Sequence, residues 1–234
     1  LATPSIADTP EEQQKLRALV RAKPFRTVTD GALIPSDLTN LMYIGDTQSI
    51  LRAFDAAGWL QVHSLDAASI YRTLRSITEQ QAYRTAPMST LLLECQPPTY
   101  TLAKTLDTFS KRHHLRVFST HDSWDGQPVW LSSSTQDIGI SFSKAKKTLI
   151  HQIDTDIDHE RTKVVNDLML TGCVTAINLI ARPWLPKNMT NGTAEPIVTD
   201  GRMAVLRFND CTAPMHIPPL DRTDFVPLHS NVAA

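Results

Sequence analysis

Apolar residues along this chain recur in two rhythms: the 3.6-residue period of a helix lying on a core, and the short runs and alternations of strands. Thr9 and Pro10 open a helix, Thr9 as its cap and Pro10 in its first turn, with Leu16, Leu19 and Val20 on one side. Leu41-Met42-Tyr43-Ile44 reads as a buried strand that turns through Gly45-Asp46-Thr47 into a second helix. Ile50, Leu51, Phe54 and Ala57 share one face of that helix, and Gly58 stops it. A further helix is predicted over about 66–82, with Ile70, Leu74, Ile77 and Gln81 in one stripe. Beyond Pro87 the pattern changes to strands at 90–93, 115–119, 129–133, 138–142 and 148–153, with Asp125-Gly126 as a hairpin turn. A helix beginning near Asp158 sets Ile157, Val164, Val165 and Leu168 toward the core and ends at Gly172; strands at 174–180 and 203–208 follow.

Helices and strands are segregated rather than alternating, which favours an α+β fold: a mixed, largely antiparallel sheet packed against about three helices. Residues 1–36 read as an N-terminal arm, 37–182 as the α+β domain, and 183–234 as a proline-rich extension packed on the same domain. With 234 residues, 41% of them hydrophobic, one core is the expectation. A net charge of −1 argues against a nucleic-acid partner, although Lys104, Lys111, Arg112 and Arg116 cluster, as do Lys144, Lys146 and Lys147. No apolar run approaches the roughly 18 residues that cross a bilayer, so no transmembrane segment is expected. Cys95, Cys173 and Cys211 stand apart with no CxxC spacing; one disulfide with a free thiol and three buried thiols both remain open. The chain begins at Leu1, as a mature exported chain or a trimmed one would, and an extracytoplasmic location is the expectation.

Candidate chemistry lies in two segments. In Arg112-His113-His114-Leu115-Arg116-Val117-Phe118, alternation puts His113 with Leu115 and Val117, and His114 with Arg116 and Phe118. If Leu115 and Val117 face the core, His113 is buried and His114 with Arg116 looks outward. His151 shares a strand face with Leu149 and Ile153. His113 and His151 converging from neighbouring strands, with Asp154 or Asp137, would make a three-ligand site for a divalent metal such as zinc. The structural alternative is that these histidines are core residues bonded to backbone or aspartates. Asp154-x-Asp156-x-Asp158 resembles a calcium loop, but His159 and Val165 stand where an EF-hand needs Gly and Glu. Helix capping by Asp158, with Arg161 returning a salt bridge, explains the triplet better. A metal-free alternative has Arg112, His114 and Arg116, with lysines nearby, gripping a phosphate or carboxylate beside a histidine acid or base. Gly45 alone meets neither phosphate-binding fingerprint, so an ordinary βα turn is expected there.

Several motifs in order carry a family resemblance over roughly residues 37–182. They are Ser36-Asp37-Leu38-Thr39-Asn40, Gly45, Ala56-Ala57-Gly58-Trp59, Ala86-Pro87, Lys111 to Arg116 and Pro128-Val129-Trp130, then Asp137-Ile138-Gly139-Ile140, His151 to Asp154 and Asp158-His159-Glu160-Arg161. In these the chain resembles the LssY C-terminal domain family, which occurs fused to membrane modules, including phosphatidic-acid-phosphatase-like ones, and as free-standing exported proteins. The resemblance implies an architecture and a cell-envelope neighbourhood, not a reaction.

Two function classes therefore stand. One is an extracytoplasmic hydrolase acting on an anionic, phosphorylated or lipid-derived envelope substrate. There His113, His114, His151 and Asp154 are catalytic, Arg112, Arg116 and Arg161 bind substrate, and His113, His151, Asp154 and Asp137 hold any metal. The other is a non-catalytic binding or assembly domain in which the same side chains form a structural polar network.

Overall fold

The computed structural model describes residues 9–61, 91–105, 112–143 and 148–212. The helix expected over 66–82, and Lys111, Lys144, Lys146 and Lys147, lie outside them. The described elements are three helices, α1 (Pro10–Arg21), α2 (Thr47–Ala56) and α3 (Ile157–Met169), and eleven strands. The strands are β1 (Arg26–Thr29), β2 (Pro35–Leu38), β3 (Leu41–Ile44), β4 (Leu60–Gln61), β5 (Leu91–Leu92), β6 (Tyr100–Thr105), β7 (Arg112–Trp124), β8 (Gln127–Ser143), β9 (Thr148–Ile153), β10 (Val174–Ala181) and β11 (Arg202–Phe208). This is the expected α+β architecture. Among the described helices, none is long and apolar enough to cross a membrane.

An eight-stranded sheet runs β10-β11-β3-β8-β7-β6-β4, with β9 also on β8; β11 lies parallel to β3 and the other pairs are antiparallel. β8 merges the two strands expected at 129–133 and 138–142 into one. The Asp125-Gly126 turn that feeds it has φ of 48° and 79°, the left-handed conformation a two-residue hairpin requires. Helices α2 and α3 pack Ile50, Ala53, Phe54, Val164 and Leu168 onto Leu41, Tyr43, Leu115, Val117 and Trp130 of one sheet face. Leu16 and Val20 of α1 pack with Met42, Ile44, Phe118, Leu131 and Val205 on the other. β1 and β2 occupy the stretch after Pro24 that hydrophobic patterning leaves irregular, and with β5 they form a three-stranded sheet, β2-β1-β5.

Local chemistry explains the helix ends. Thr9 and Glu12 form a reciprocal capping box around Pro10. Asp46 caps α2 through Ser49 N–H. Gly45 needs to be glycine because an added Cβ would sit 2.8 Å from Phe208 Cβ, a packing constraint rather than a phosphate cradle. α3 is capped by Asp156, not by Asp158 as expected: the Asp156 carboxylate accepts from Asp158 N–H at 3.1 Å.

β8 depends on one polar side chain. β7 pairs along one edge of it, while β3 (opposite 129–132) and β9 (opposite 137–143) divide the other. Between β3 and β9 the buried Asn40 takes the place of a strand. Its Oδ1 accepts from Ser134 N–H and Oγ–H at 3.2 and 3.1 Å, and its Nδ2 donates to Ile157 O at 3.2 Å. Cys173 and Cys211 form a disulfide that pins the segment after β11 to the start of β10, and Cys95 is free and exposed.

Asn40→Ala strands two donors and a carbonyl in the interior and is expected to lose about 3 kcal/mol of stability; a denaturation midpoint that does not move would show the edge is held without it. The Cys173→Ala/Cys211→Ala double variant, which releases a 38-residue separation, is expected to lose roughly 4 kcal/mol on loop-closure grounds. Denaturation of the variant beside the oxidised protein measures it.

Candidate functional site

β7 carries the adjacent candidates His113 and His114, and there both of its faces are covered. His113 lies under α3 and is 2% exposed; His114 lies on the opposite face and is 8% exposed. The expected outward-facing set of His114 and Arg116 is therefore corrected. The second face, which an isolated strand pattern leaves to solvent, is closed by α1 and the smaller sheet, and Arg116 bonds Asp37 of β2 at 3.2 Å. His114 is engaged there as well.

The buried partner of His113 is Glu160. Nδ1 and Oε2 stand 2.7 Å apart, with side chains 3% and 2% exposed. Glu160 sits on the core stripe of α3, three residues after Ile157 and four before Val164, so the helix drives a carboxylate into the interior and the imidazole meets it there. Beyond this pair, Trp59 lies 6.2 Å from the His113 ring, ring centre to ring centre, and donates Nε1–H to Asp167 at 2.9 Å. Lys104 and Lys163 reach the same carboxylate oxygen at 3.0 and 2.6 Å. Burial would raise the Asp167 carboxyl, but these three donors hold it below its ordinary range.

The expected meeting of His113 with His151 is not what the strand register provides. His113 pairs with Gln136 and His151 with Ile140, on opposite edges of β8. Their backbones are thus offset by four residues, about 13 Å along the strands, and by two strand spacings, about 10 Å. Arg112 pairs with Asp137, which Ile153 meets from the other edge; of these two and of His151 the described structure gives the backbone only. Asp154 accepts from Asp156 N–H at 3.0 Å and lies 3.9 Å from His159. Among the described residues no three His, Cys, Asp or Glu side chains come together as a metal-ligand set.

Arg161 is 5% exposed. It takes Asp200 with both terminal nitrogens, Nη1 and Nη2, at 2.8 and 3.0 Å, and gives Nη1 also to Asp158 and to Arg202 O, each at 2.9 Å. Asp158 in turn accepts from Thr199 Oγ–H and Asp200 N–H, tying α3 to the turn before β11. Hydrogen bonding from Arg161 holds the Asp200 carboxyl below its ordinary range, while burial raises that of Asp158. Arg182, 3% exposed, donates to Thr39 O and Gly201 O; burial and the nearby Arg161 push its guanidinium down to about 10.

Sequence reasoning missed Glu160, Asp200, Asp167 and Asn40 as partners. Glu160 alone carried a signal, as a charge on an otherwise apolar helical stripe. One cavity, of about 10 Å³, lies between Asp37, Ser134, Asp154 and Ile157; another, of about 80 Å³, lies away from these networks near Lys23, Gln96 and Thr120. Both are of the size that holds water rather than a substrate.

No curated protein and no solved structure matches the chain. The family model described as LssY C-terminus matches residues 20–203, well beyond the stretch its motifs mark, and the chain belongs to that family.

Proposed function

We propose that this chain is a non-catalytic binding or assembly domain of the cell envelope, in which the histidine, aspartate and arginine residues form a structural polar network. One observation carries the reading: His113 and Glu160 are sealed together at 2.7 Å under α3. The arginines agree with it, because Arg161 commits both terminal nitrogens to Asp158 and Asp200, and Arg116 gives Nη1 to Asp37 of the fold. The Cys173–Cys211 disulfide supports an extracytoplasmic location, since such bonds persist in oxidising compartments.

A hydrolase acting on an anionic, phosphorylated or lipid-derived substrate is the second reading, and one feature favours it. A carboxylate on Nδ1 with Nε2 unpartnered is the orienting half of a catalytic triad. Against it, Ser134, which is opposite Leu115 and nearer in register, gives its hydroxyl to Asn40 Oδ1, and Ser132 is opposite Val117, four residues along β7 from His113.

The readings separate on stability and turnover. Under the structural reading, His113→Leu and Glu160→Leu each strand a buried polar partner and lose roughly 3–5 kcal/mol, whereas the double variant loses less than the two losses added. Wild-type protein is expected to leave p-nitrophenyl phosphate and p-nitrophenyl butyrate unhydrolysed. Turnover that disappears in a folded His113→Gln variant would overturn the proposal.

Acid titration tests the Arg161 network. The folded Asp200 carboxyl lies below its ordinary value of 3.8. Its contribution is therefore complete above that value and lost as pH falls through the lower, folded one. The melting temperature of wild type is expected to fall below about pH 4, and Asp200→Asn, less stable at neutral pH, to show a shallower fall. Parallel melting curves across the acid range check it.

A further inference from the structure

The Glu160–His113 pair uses only one carboxylate oxygen. Glu160 Oε1 is buried with no partner among the described residues, and so are Tyr43 Oη and Ser132 Oγ. These three atoms belong to one place in the fold. On β3 and β8, Tyr43 lies opposite Trp130 and Leu41 opposite Ser132, so the Tyr43 and Ser132 side chains are diagonal neighbours on the sheet face beneath α3. Glu160 comes down onto that face from the helix, beside Val164 and Leu168. The side chains are held rigidly: Tyr43 makes edge-to-face contacts with Phe54 and Phe208 at 5.5 and 6.0 Å. Burial raises the Tyr43 phenol well above its usual range; the Ser132 hydroxyl lies close enough to oppose that shift, and the Glu160 carboxylate to add to it, although neither forms a geometrically sound hydrogen bond to it.

Leaving two hydroxyls and a carboxylate oxygen dry would cost about 1–3 kcal/mol for each group, and buried polar atoms are normally satisfied by protein or by ordered water. Their chemistry is complementary to a single guest: two O–H donors and a strong acceptor match a molecule that both gives and takes. We propose that this face of the sheet holds one internal water, bound by Tyr43 Oη, Ser132 Oγ and Glu160 Oε1 between β3, β8 and α3. The water accepts from the phenol and the serine hydroxyl and donates to the carboxylate. It joins His113, Glu160, Tyr43 and Ser132 into one chain of hydrogen bonds running under the helix from β7 to β3. This rests on the structural reading of the Glu160–His113 pair.

A crystal structure of the full chain that resolves ordered solvent is the test, read beside the Tyr43→Phe/Ser132→Ala double variant. One density peak at about 2.6–3.2 Å from all three atoms, lost in a folded double variant, is the expected result. Tyr43 Oη bonded directly to Ser132 Oγ or Glu160 Oε1, with no peak between them, would overturn it. So would a peak with the short, many-oxygen shell of a cation. Absence of the water leaves the Glu160–His113 pairing intact, whereas turnover dependent on His113 removes the structural reading and leaves the density unchanged, so the two failures are distinguishable.

Discussion

The long strand β8 is the member on which the rest of this domain hangs, and its continuity is a hydrogen-bonding problem. One edge is satisfied by β7 alone, but the other is shared between β3 and β9, which meet β8 at different heights. A gap in the middle of a buried sheet leaves backbone groups without partners, and the interior does not tolerate that. Asn40 closes it with both ends of its amide, one to β8 and one to the first turn of α3. Asp154, whose N–H meets Gln136 O at 2.8 Å, starts the ladder again on the far side. The sheet edge and the helix that covers the sheet are thus positioned by the same side chain.

Covering both faces of the sheet has a second consequence. A strand with one solvated face sorts polar residues outward by alternation, but β7 over 113–118 and β8 over 129–135 are buried or nearly so on both sides, so there every parity is an interior parity. His113 and His114, Arg116, and the run Ser132 to Thr135 are all buried or nearly so. Each charged group among them must find a counter-charge from another element, since removing a charge from water without one costs several kcal/mol. Glu160 and Asp37 answer from opposite sides of the sheet. Arg161, buried on α3, is answered by Asp158 and Asp200.

This is also why the elements were legible in the sequence and the partners were not. The capping box at Thr9, the α2 stripe of Ile50 and Phe54, the Asp125-Gly126 hairpin and the apolar runs of β3, β10 and β11 are local signals, and each appears where periodicity places it. β1, β2 and β6 are rich in Thr, Lys and Arg or broken by Pro, and their strand character comes from neighbours rather than from alternation. The pairing of His113 with Glu160 spans 47 residues and that of Arg161 with Asp200 spans 39, and no spacing rule reaches across such separations. The expected pairing of His113 with His151 rested on both being inward-facing, a condition that does not say which strand edge either occupies.

A strand with two adjacent histidines invites a catalytic reading, and these side chains face competing demands. Catalysis needs a base that a substrate can reach and an anion holder with free donors. Here His113 is enclosed, and Arg116 and Arg161 each bond carboxylates of the fold. Specificity of assembly asks for the reverse: buried polar groups with one satisfactory arrangement, so that α3, β3 and the turn before β11 fit together in a single register. The Glu160–His113 contact, the Asn40 amide and the Arg161–Asp158–Asp200 cluster converge on α3 from three directions. They fix α3 on the sheet that β8 organises and on the turn before β11 at once.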